Sequence, residues 1–183
     1  PAAAHALHHH VRHVPLAAAL HPADHPLRRL FEQGIDPVAV WIARSREKGI
    51  SPWVSMRVND VHFIQSGNPW NSCAFWRAHP ELRRRPDLDP VTTTNWCWTA
   101  FAFNFAKQEV RDYHFALFRE IVDRYDADGY ELDTLRFWEH LTPGREKEEA
   151  PHLTSFIRMC RQYTQEKAKE RGHPIRLSAR VMT

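Results

Sequence analysis

One stretch, Asp126-Ala-Asp-Gly-Tyr-Glu-Leu-Asp-Thr-Leu-Arg136, constrains the fold more than any other. It follows a long amphipathic helical pattern and reads as a strand over 128–136 that ends in charge. Side chains alternate along a strand, so Gly129, Glu131 and Asp133 share one face. Two carboxylates spaced this way have Cα atoms roughly 7 Å apart. Strands seldom bury two acids together unless the acids have partners or a chemical task. The face that carries them therefore lines a lumen or a cleft.

The flanking patterns set the architecture. Val110, Tyr113, Leu117, Ile121 and Tyr125 recur at three- and four-residue steps and predict a helix over 107–125. A second helix is predicted over 152–171, with Leu153, Phe156, Ile157, Cys160 and Tyr163 inward and Gly172 and Pro174 as its stop. Residues 175–181 read as another strand. Upstream, Asp36-Pro37 opens a helix whose inner face is Val38, Trp41, Ile42 and Ser45, and Gly49 closes it. Residues 51–60 then alternate, with Val54, Met56 and Val58 on the apolar face. Strands separated by helices of this length imply parallel β/α units. The expected fold is α/β, of the (β/α)8 TIM-barrel type. A complete barrel takes about 250 residues, and the 183 here predict only part of one. The expected division is an Ala/His/Pro-rich segment over 1–26 and a partial barrel over 27–183. Open sheet edges on such a unit predict aggregation or association when it is expressed alone.

Residues 61–105 form a long insertion that carries Phe63, Trp70, Phe75, Trp76, Trp96 and Trp98. So many aromatic rings argue against disorder. They serve either as sugar-stacking surfaces or as a small core of their own. The triplet Arg83-Arg84-Arg85 reads as a solvated loop. The net charge of +3 comes from interleaved acids and bases, without the concentrated basic face of a nucleic-acid binder. No apolar run is long enough to span a membrane, and no secretory leader pattern is visible, which leaves the compartment open. His5, His9 and His13 share a helical spacing that suits adventitious Zn²⁺ or Ni²⁺. Cys73, Cys97 and Cys160 show no metal-type spacing. No metal or other cofactor is expected.

In parallel β/α barrels the chemistry sits at the C-terminal strand ends. Here those ends offer Arg57, Asn59, Asp60 and His62 on the first strand. They offer Glu131, Asp133 and Arg136 on the second, and Ser178 and Arg180 on the third. Glycoside hydrolysis needs a carboxylate and a carboxylic acid flanking the scissile bond. Asp133 is the candidate nucleophile, Glu131 the candidate proton donor and Asp60 the rival acid. An ion pair of Glu131 with Arg57 or Arg180 is the competing structural role. Arg57, Asn59, His62, Trp76, His79, Arg136 and Arg180 are candidate substrate contacts.

The segments Asn104-Phe-Ala-Lys-Gln-Glu-Val-Arg-Asp-Tyr113 and Arg124-Tyr-Asp-Ala-Asp-Gly-Tyr-Glu-Leu-Asp133 resemble the third-helix to fourth-strand portion of alpha-amylase-type barrels. They resemble more closely the glycosyl-hydrolase-like barrels with YD-x-DG-x-x-x-D strands. Val54-Ser-Met-Arg-Val-Asn-Asp60 and the Trp76…His79-Pro80-Glu81 loop fit that second group. The resemblance covers roughly residues 36–182 and implies that Asp133 holds the position of the amylase-type nucleophile. The chain departs from the amylase pattern at three places. Glu131 stands where that family has Arg, Asn59-Asp60 stands where it has Asn-His, and the third strand ends in Arg180 where it carries its acid. Chitinase-type barrels end the corresponding strand in Glu, and here that position is Leu135. The reading that follows is a glycoside hydrolase-like protein acting on an oligo- or polysaccharide. The alternatives are a non-catalytic glycan-binding barrel and a metal-dependent hydrolase built from Asp60, His62, Glu131 and Asp133.

Overall fold

A computed structural model describes residues 26–66, 72–93, 98–135 and 139–181. The N-terminal histidine cluster, Trp70, Trp96, Cys97 and Arg136 lie outside the described residues. The chain divides into two compact units, Pro1–Pro37 and Val38–Thr183. The first contains helix α1 (Pro26–Glu32), which closes at Gly34 with φ 74°.

The second unit is built on three parallel strands, β1 (Trp53–Arg57), β2 (Gly129–Asp133) and β3 (Arg176–Arg180), in the order β1-β2-β3. Helix α2 (Pro37–Glu47) precedes β1, and a short helix α3 (Ala74–Ala78) lies in the insertion. Helix α4 (Gln108–Arg124) leads into β2, and α5 (Glu146–Arg171) leads into β3. The sheet is mixed α/β architecture with parallel strands, as the alternating pattern predicts. A closed barrel is not formed by the described residues.

One face of the sheet is covered. Tyr130 and Leu132 of β2 belong to one buried core cluster with Phe118, Val122, Phe156 and Cys160 of α4 and α5, and Val54, Met56 and Leu177 pack against it. Phe118 and Tyr130 cross edge to face at 5.9 Å between ring centroids. Each fully buried aromatic or aliphatic side chain of this layer contributes about 1.5–3 kcal/mol. The Tyr130 hydroxyl donates to the Tyr125 carbonyl and so ties β2 to the end of α4.

Local differences from the expected pattern have physical causes. The deepest stripe of α4 is Val110, His114, Phe118 and Val122, rotated from the Tyr113–Leu117–Ile121 line, because His114 is buried among the rings of Phe103, Phe105 and Phe156. Helix α5 starts six residues before His152, since Pro151 near the start forfeits one backbone bond while Glu146, Glu148 and Glu149 favour the helix N-terminus. Trp41, expected inward, is 69% exposed, and Val38, Ile42 and Ser45 form the less exposed side of α2.

The insertion is a small folded layer. Leu82, Arg84 and Arg85 exchange backbone hydrogen bonds with Ala100, Ala102 and Asn104 in an antiparallel path. Its buried residues Val61, Ile64, Trp76, Leu82, Phe101 and Phe103 are continuous with the main core. The expected solvated triplet is therefore corrected. Arg83 and Arg84 are buried, and Arg84 donates to the carbonyls of Leu141 (2.6 Å) and Thr99 (3.0 Å) and to Glu139 (2.7 Å). Burying the Arg84 guanidinium is tolerated because its donors are matched, whereas Arg83 donates to the Trp76 carbonyl at 3.2 Å and its buried Nε has no hydrogen-bond partner among the described residues.

At the N-terminal edge of the sheet an ionic cluster joins the loops that enter all three strands. Arg46 reaches the Asp126 carbonyl at 2.7 Å and Asp128 at 3.1 Å, while Ser51 donates to Asp128 and His173 meets Asp126 at 2.8 Å. Each exposed pair contributes little alone, and the network fixes three loops together.

Gly129 has a steric task. A Cβ there would lie 2.6 Å from the ring of Trp53, its register partner on β1. Gly129→Ala is expected to destabilise the fold by about 1–3 kcal/mol. In a Trp53→Ala background most of that cost is expected to vanish. Denaturant unfolding of the four proteins of this double-mutant cycle measures the coupling, and additive effects would contradict the close contact.

Candidate functional site

The uncovered face of the sheet is organised in rows across the strands. Register pairs Trp53, Gly129 and Arg176 in the first row. Ser55, Glu131 and Ser178 form the second, and Arg57, Asp133 and Arg180 the third, at the C-terminal ends. The period-two alternation of each strand puts all nine residues on one side. The arrangement brings together Arg57, Glu131, Asp133 and Arg180 from the expected site.

Arg180 holds the two carboxylates. Its Nη1 lies 3.1 Å from Asp133 Oδ2 and 4.0 Å from Glu131 Oε1. Sharing one nitrogen at 3.1 Å and 4.0 Å, the two carboxylate oxygens are no more than about 7 Å apart. Asp133 is 5% exposed, and its Oδ1 accepts from the Leu135 amide at 3.2 Å. Glu131 is more open, and its Oε1 accepts from Ser55 Oγ at 2.9 Å. Of the alternative partners for Glu131, Arg180 is the nearer to an ion pair, and it sits closer to Asp133.

Asp60 lies just beyond β1. It accepts from the His62 amide at 3.0 Å and pairs with His62 Nδ1 at 2.5 Å, and Arg57 Nη1 reaches its other oxygen at 3.1 Å. Burial raises the Asp60 carboxyl, but the His62 and Arg57 hydrogen bonds outweigh it and hold the group below the usual carboxylate range. A carboxylate held ionised is a poor proton donor, so Asp60 is better suited to fixing His62 than to acting as the rival acid. The His62 ring in turn lies 4.9 Å from Trp98.

Asn59 serves the fold of this mouth, which corrects its expected place among the ligand contacts. Its backbone is left-handed, with φ 67°, and its side chain is buried. The amide oxygen accepts from Phe103 N at 2.7 Å, and Nδ2 donates to Phe103 O at 2.9 Å, imitating a strand partner. Nδ2 also faces His140 Nδ1 at 3.3 Å. That contact makes Nδ1 an acceptor and leaves Nε2–H to donate to the Thr134 carbonyl at 3.4 Å. Thr134 completes the circuit by donating to the Arg180 carbonyl from both its amide (3.2 Å) and its hydroxyl (2.5 Å). His140 and Thr134 were not legible as site residues. The only signal was Thr134 following Asp133 directly in the chain.

Trp76 and His79 lie in the insertion. Trp76 Nε1 donates to the Phe101 carbonyl at 2.8 Å, and the Arg83 guanidinium sits 3.6 Å from its ring centroid. Both its polar end and one face are occupied, so Trp76 takes the small-core alternative of the two expected for these rings. His79 pairs with Glu81 at 2.9 Å and packs against Phe75, which stacks on Tyr113 at 4.1 Å. Among the described residues no group of three or more His, Cys, Asp or Glu side chains is placed to hold a metal ion. No helix among them is long and apolar enough to cross a membrane.

No family model matches the chain, and no curated protein matches it in sequence. Among solved structures, the chain is similar to the galactosidase domain of an alpha-galactosidase–sucrose kinase, with 14% identity and a TM-score of 0.45 over 80% of this chain. It is similar also to the alpha-galactosidase from Lactobacillus brevis, with 15% identity and a TM-score of 0.45 over 79% of this chain. The chain spans 18% of the length of each of these proteins.

Two buried imidazoles, His114 in the core and His140 behind the strand ends, make the fold sensitive to acid. Burial drives the pKa of His114 down to about 4 against the raising effect of its bond to the Val110 carbonyl. Burial likewise drives His140 down to about 4, against its bond to the Thr134 carbonyl. Unfolded histidines take up protons near pH 6.5 and these folded ones near 4, so their stabilising effect is complete above 6.5 and is lost as pH falls towards 4. The loss is expected to be on the order of 3 kcal/mol for each histidine. Unfolding free energies measured from pH 7.5 to 4.5 check this, and a flat profile would contradict it.

Proposed function

We propose that the chain is part of a glycoside hydrolase-like (β/α) barrel that acts on a saccharide through carboxylate chemistry at the C-terminal ends of its strands. The observation that carries this reading is the Arg180-bridged pair of Glu131 and Asp133 on the open face of a parallel sheet. Glycosidic cleavage uses a pair of carboxyl groups, and this is a pair of neighbouring carboxyl groups on one face. Asp133 accepts from a guanidinium and from an amide, which fixes its orientation and suits it to act as nucleophile or to stabilise positive charge at the anomeric carbon. Glu131 is more open and is held in place by the Ser55 hydroxyl, and its position next to Asp133 on the same face makes it the candidate partner acid. Arg57 borders the pair on the neighbouring strand as a contact for substrate hydroxyls.

The partial-barrel reading is supported by the same sheet. Its helices cover one face, and its other face carries polar residues in register, as a lumen does. A second reading, a non-catalytic glycan-binding barrel, is favoured by a specific observation. Both Asp133 oxygens are engaged within the protein, and the third row ends in Arg180 instead of a second acid.

The test is hydrolysis of a panel of aryl glycosides and oligosaccharides by the protein and by Asp133→Asn. Wild-type turnover that falls by about three orders of magnitude or more in the variant, with the unfolding midpoint retained, is the expected result. Retained turnover in the variant would move the chemistry off Asp133. Saccharide binding without turnover in either protein would establish the binding-barrel reading.

A further inference from the structure

The two arginines at the C-terminal row of the sheet make fewer bonds than their geometry offers. A guanidinium carries five N–H donors in a planar fork, and its strongest pairing with a carboxylate uses two of them in parallel. Arg57 instead meets Asp60 through Nη1 alone, at 3.1 Å. Arg180 meets Asp133 through Nη1 alone, also at 3.1 Å. Neither guanidinium makes a further hydrogen bond among the described residues. The Nε and Nη2 groups of both therefore keep donors for a ligand. The two side chains are 54% and 51% exposed, so those donors are within reach of one, and the single bond that each makes restrains it.

The acids beside them are largely committed. Asp60 Oδ1 is taken by the amide and ring of His62, and its Oδ2 by Arg57. Asp133 Oδ1 accepts from the Leu135 amide, and its Oδ2 from Arg180. Of these three acids, only Glu131 keeps an oxygen, Oε2, with no partner among the described residues. Donors thus outnumber acceptors at this end of the sheet. Arg57 and Arg180 also stand on either side of Asp133 in one row. Neighbouring strands lie about 4.8 Å apart, so the Cα atoms of the two arginines are about 10 Å apart. Two long side chains on that span can close on one oxyanion. A hydroxyl fills one donor at a time, whereas a carboxylate or sulfate presents paired oxygens that match the fork.

We propose that the site recognises an acidic sugar, whose carboxylate or sulfate group is held by the Nε–Nη2 edges of Arg57 and Arg180. This rests on the saccharide reading given above and deepens it. Asp60 and Asp133 do not repel such a ligand strongly, because each is already paired with the arginine that would meet the anion. The same pairs aim the two forks before the sugar arrives, which lowers the ordering cost of binding.

The experiment uses the full chain and sets of para-nitrophenyl glycosides that differ only at the exocyclic carbon: a hexose, its hexuronic acid and its sulfate ester. Binding is measured by calorimetry at low and high salt. The wild type is expected to bind an acidic member about tenfold or more tighter than the neutral hexoside, with the advantage shrinking at high salt. Comparison of the hexuronide with the sulfate ester identifies which oxyanion the forks hold. Arg57→Gln is expected to lose most of the advantage, and Arg57→Lys to regain only part, since it restores charge without the fork. Arg180→Gln is made together with Asp133→Asn, so that no carboxylate is left buried and unpaired, and is expected to lose the advantage relative to Asp133→Asn alone. Equal wild-type affinity for acidic and neutral members would overturn the inference and leave the hydrolase reading standing. So would an Arg57→Gln variant that lowers the unfolding midpoint and weakens acidic and neutral probes alike, the result of a merely structural arginine. Salt-sensitive preference for an acidic member without turnover would support the inference and replace the hydrolase reading by the binding barrel. A wild-type protein that neither binds nor cleaves any probe would overturn both.

Discussion

The Arg180–Asp133 ion pair is the interaction on which the candidate site depends. It joins the ends of β2 and β3 at 3.1 Å, and it sits at the boundary between a buried and an open environment. Asp133 is almost fully buried, and an unpaired carboxylate there would be strongly unfavourable. The same guanidinium is half exposed and lies 4.0 Å from Glu131, so one cation organises both acids. Its carbonyl end is equally committed, because Thr134 donates to it twice. Backbone and side chain of a single residue thus set where the two carboxylates stand.

A second layer of support comes from groups that never face the open side. Asn59 bridges the end of β1 to the insertion through both atoms of its amide. His140 passes that constraint to Thr134, the residue that follows Asp133. The circuit runs across all three strand ends, and its members are buried, so each hydrogen bond acts in a low-dielectric setting where losing a partner is costly.

The sheet was legible in the sequence because two simple periods generate it. Alternation in Val54–Val58 and Gly129–Asp133 predicted which residues share a face, and the observed rows follow from it. Gly49 and Gly172 ended their helices as expected, both with positive φ. What stayed hidden depends on partners far away in the chain. Arg83 and Arg84 looked solvated because charge usually is, and the Leu141 carbonyl that receives Arg84 is 57 residues distant. Asn59 and His140 are separated by 81 residues, and no local pattern joins them. Trp76 was read equally as a sugar platform or a core residue, and only the Phe101 carbonyl and the Arg83 guanidinium decide between those roles.

The insertion between β1 and β2 also shapes how the molecule assembles. Partners across that pair are 76 residues apart, against 47 for the Asp133–Arg180 contact of β2 and β3. The thermodynamic difference is small, since each doubling of a loop costs only about 0.6 kcal/mol in closure entropy. The kinetic difference is larger, because folding rates fall as contacts become more distant in sequence. The α4–β2–α5–β3 segment holds its contacts close together and can form as a unit. On contact-order grounds strand β1 is expected to join last, bringing Arg57, Asp60 and the Asn59 clamp into place. If β1 docks last, a chain arrested before that step would keep its helical layer and lack a mouth.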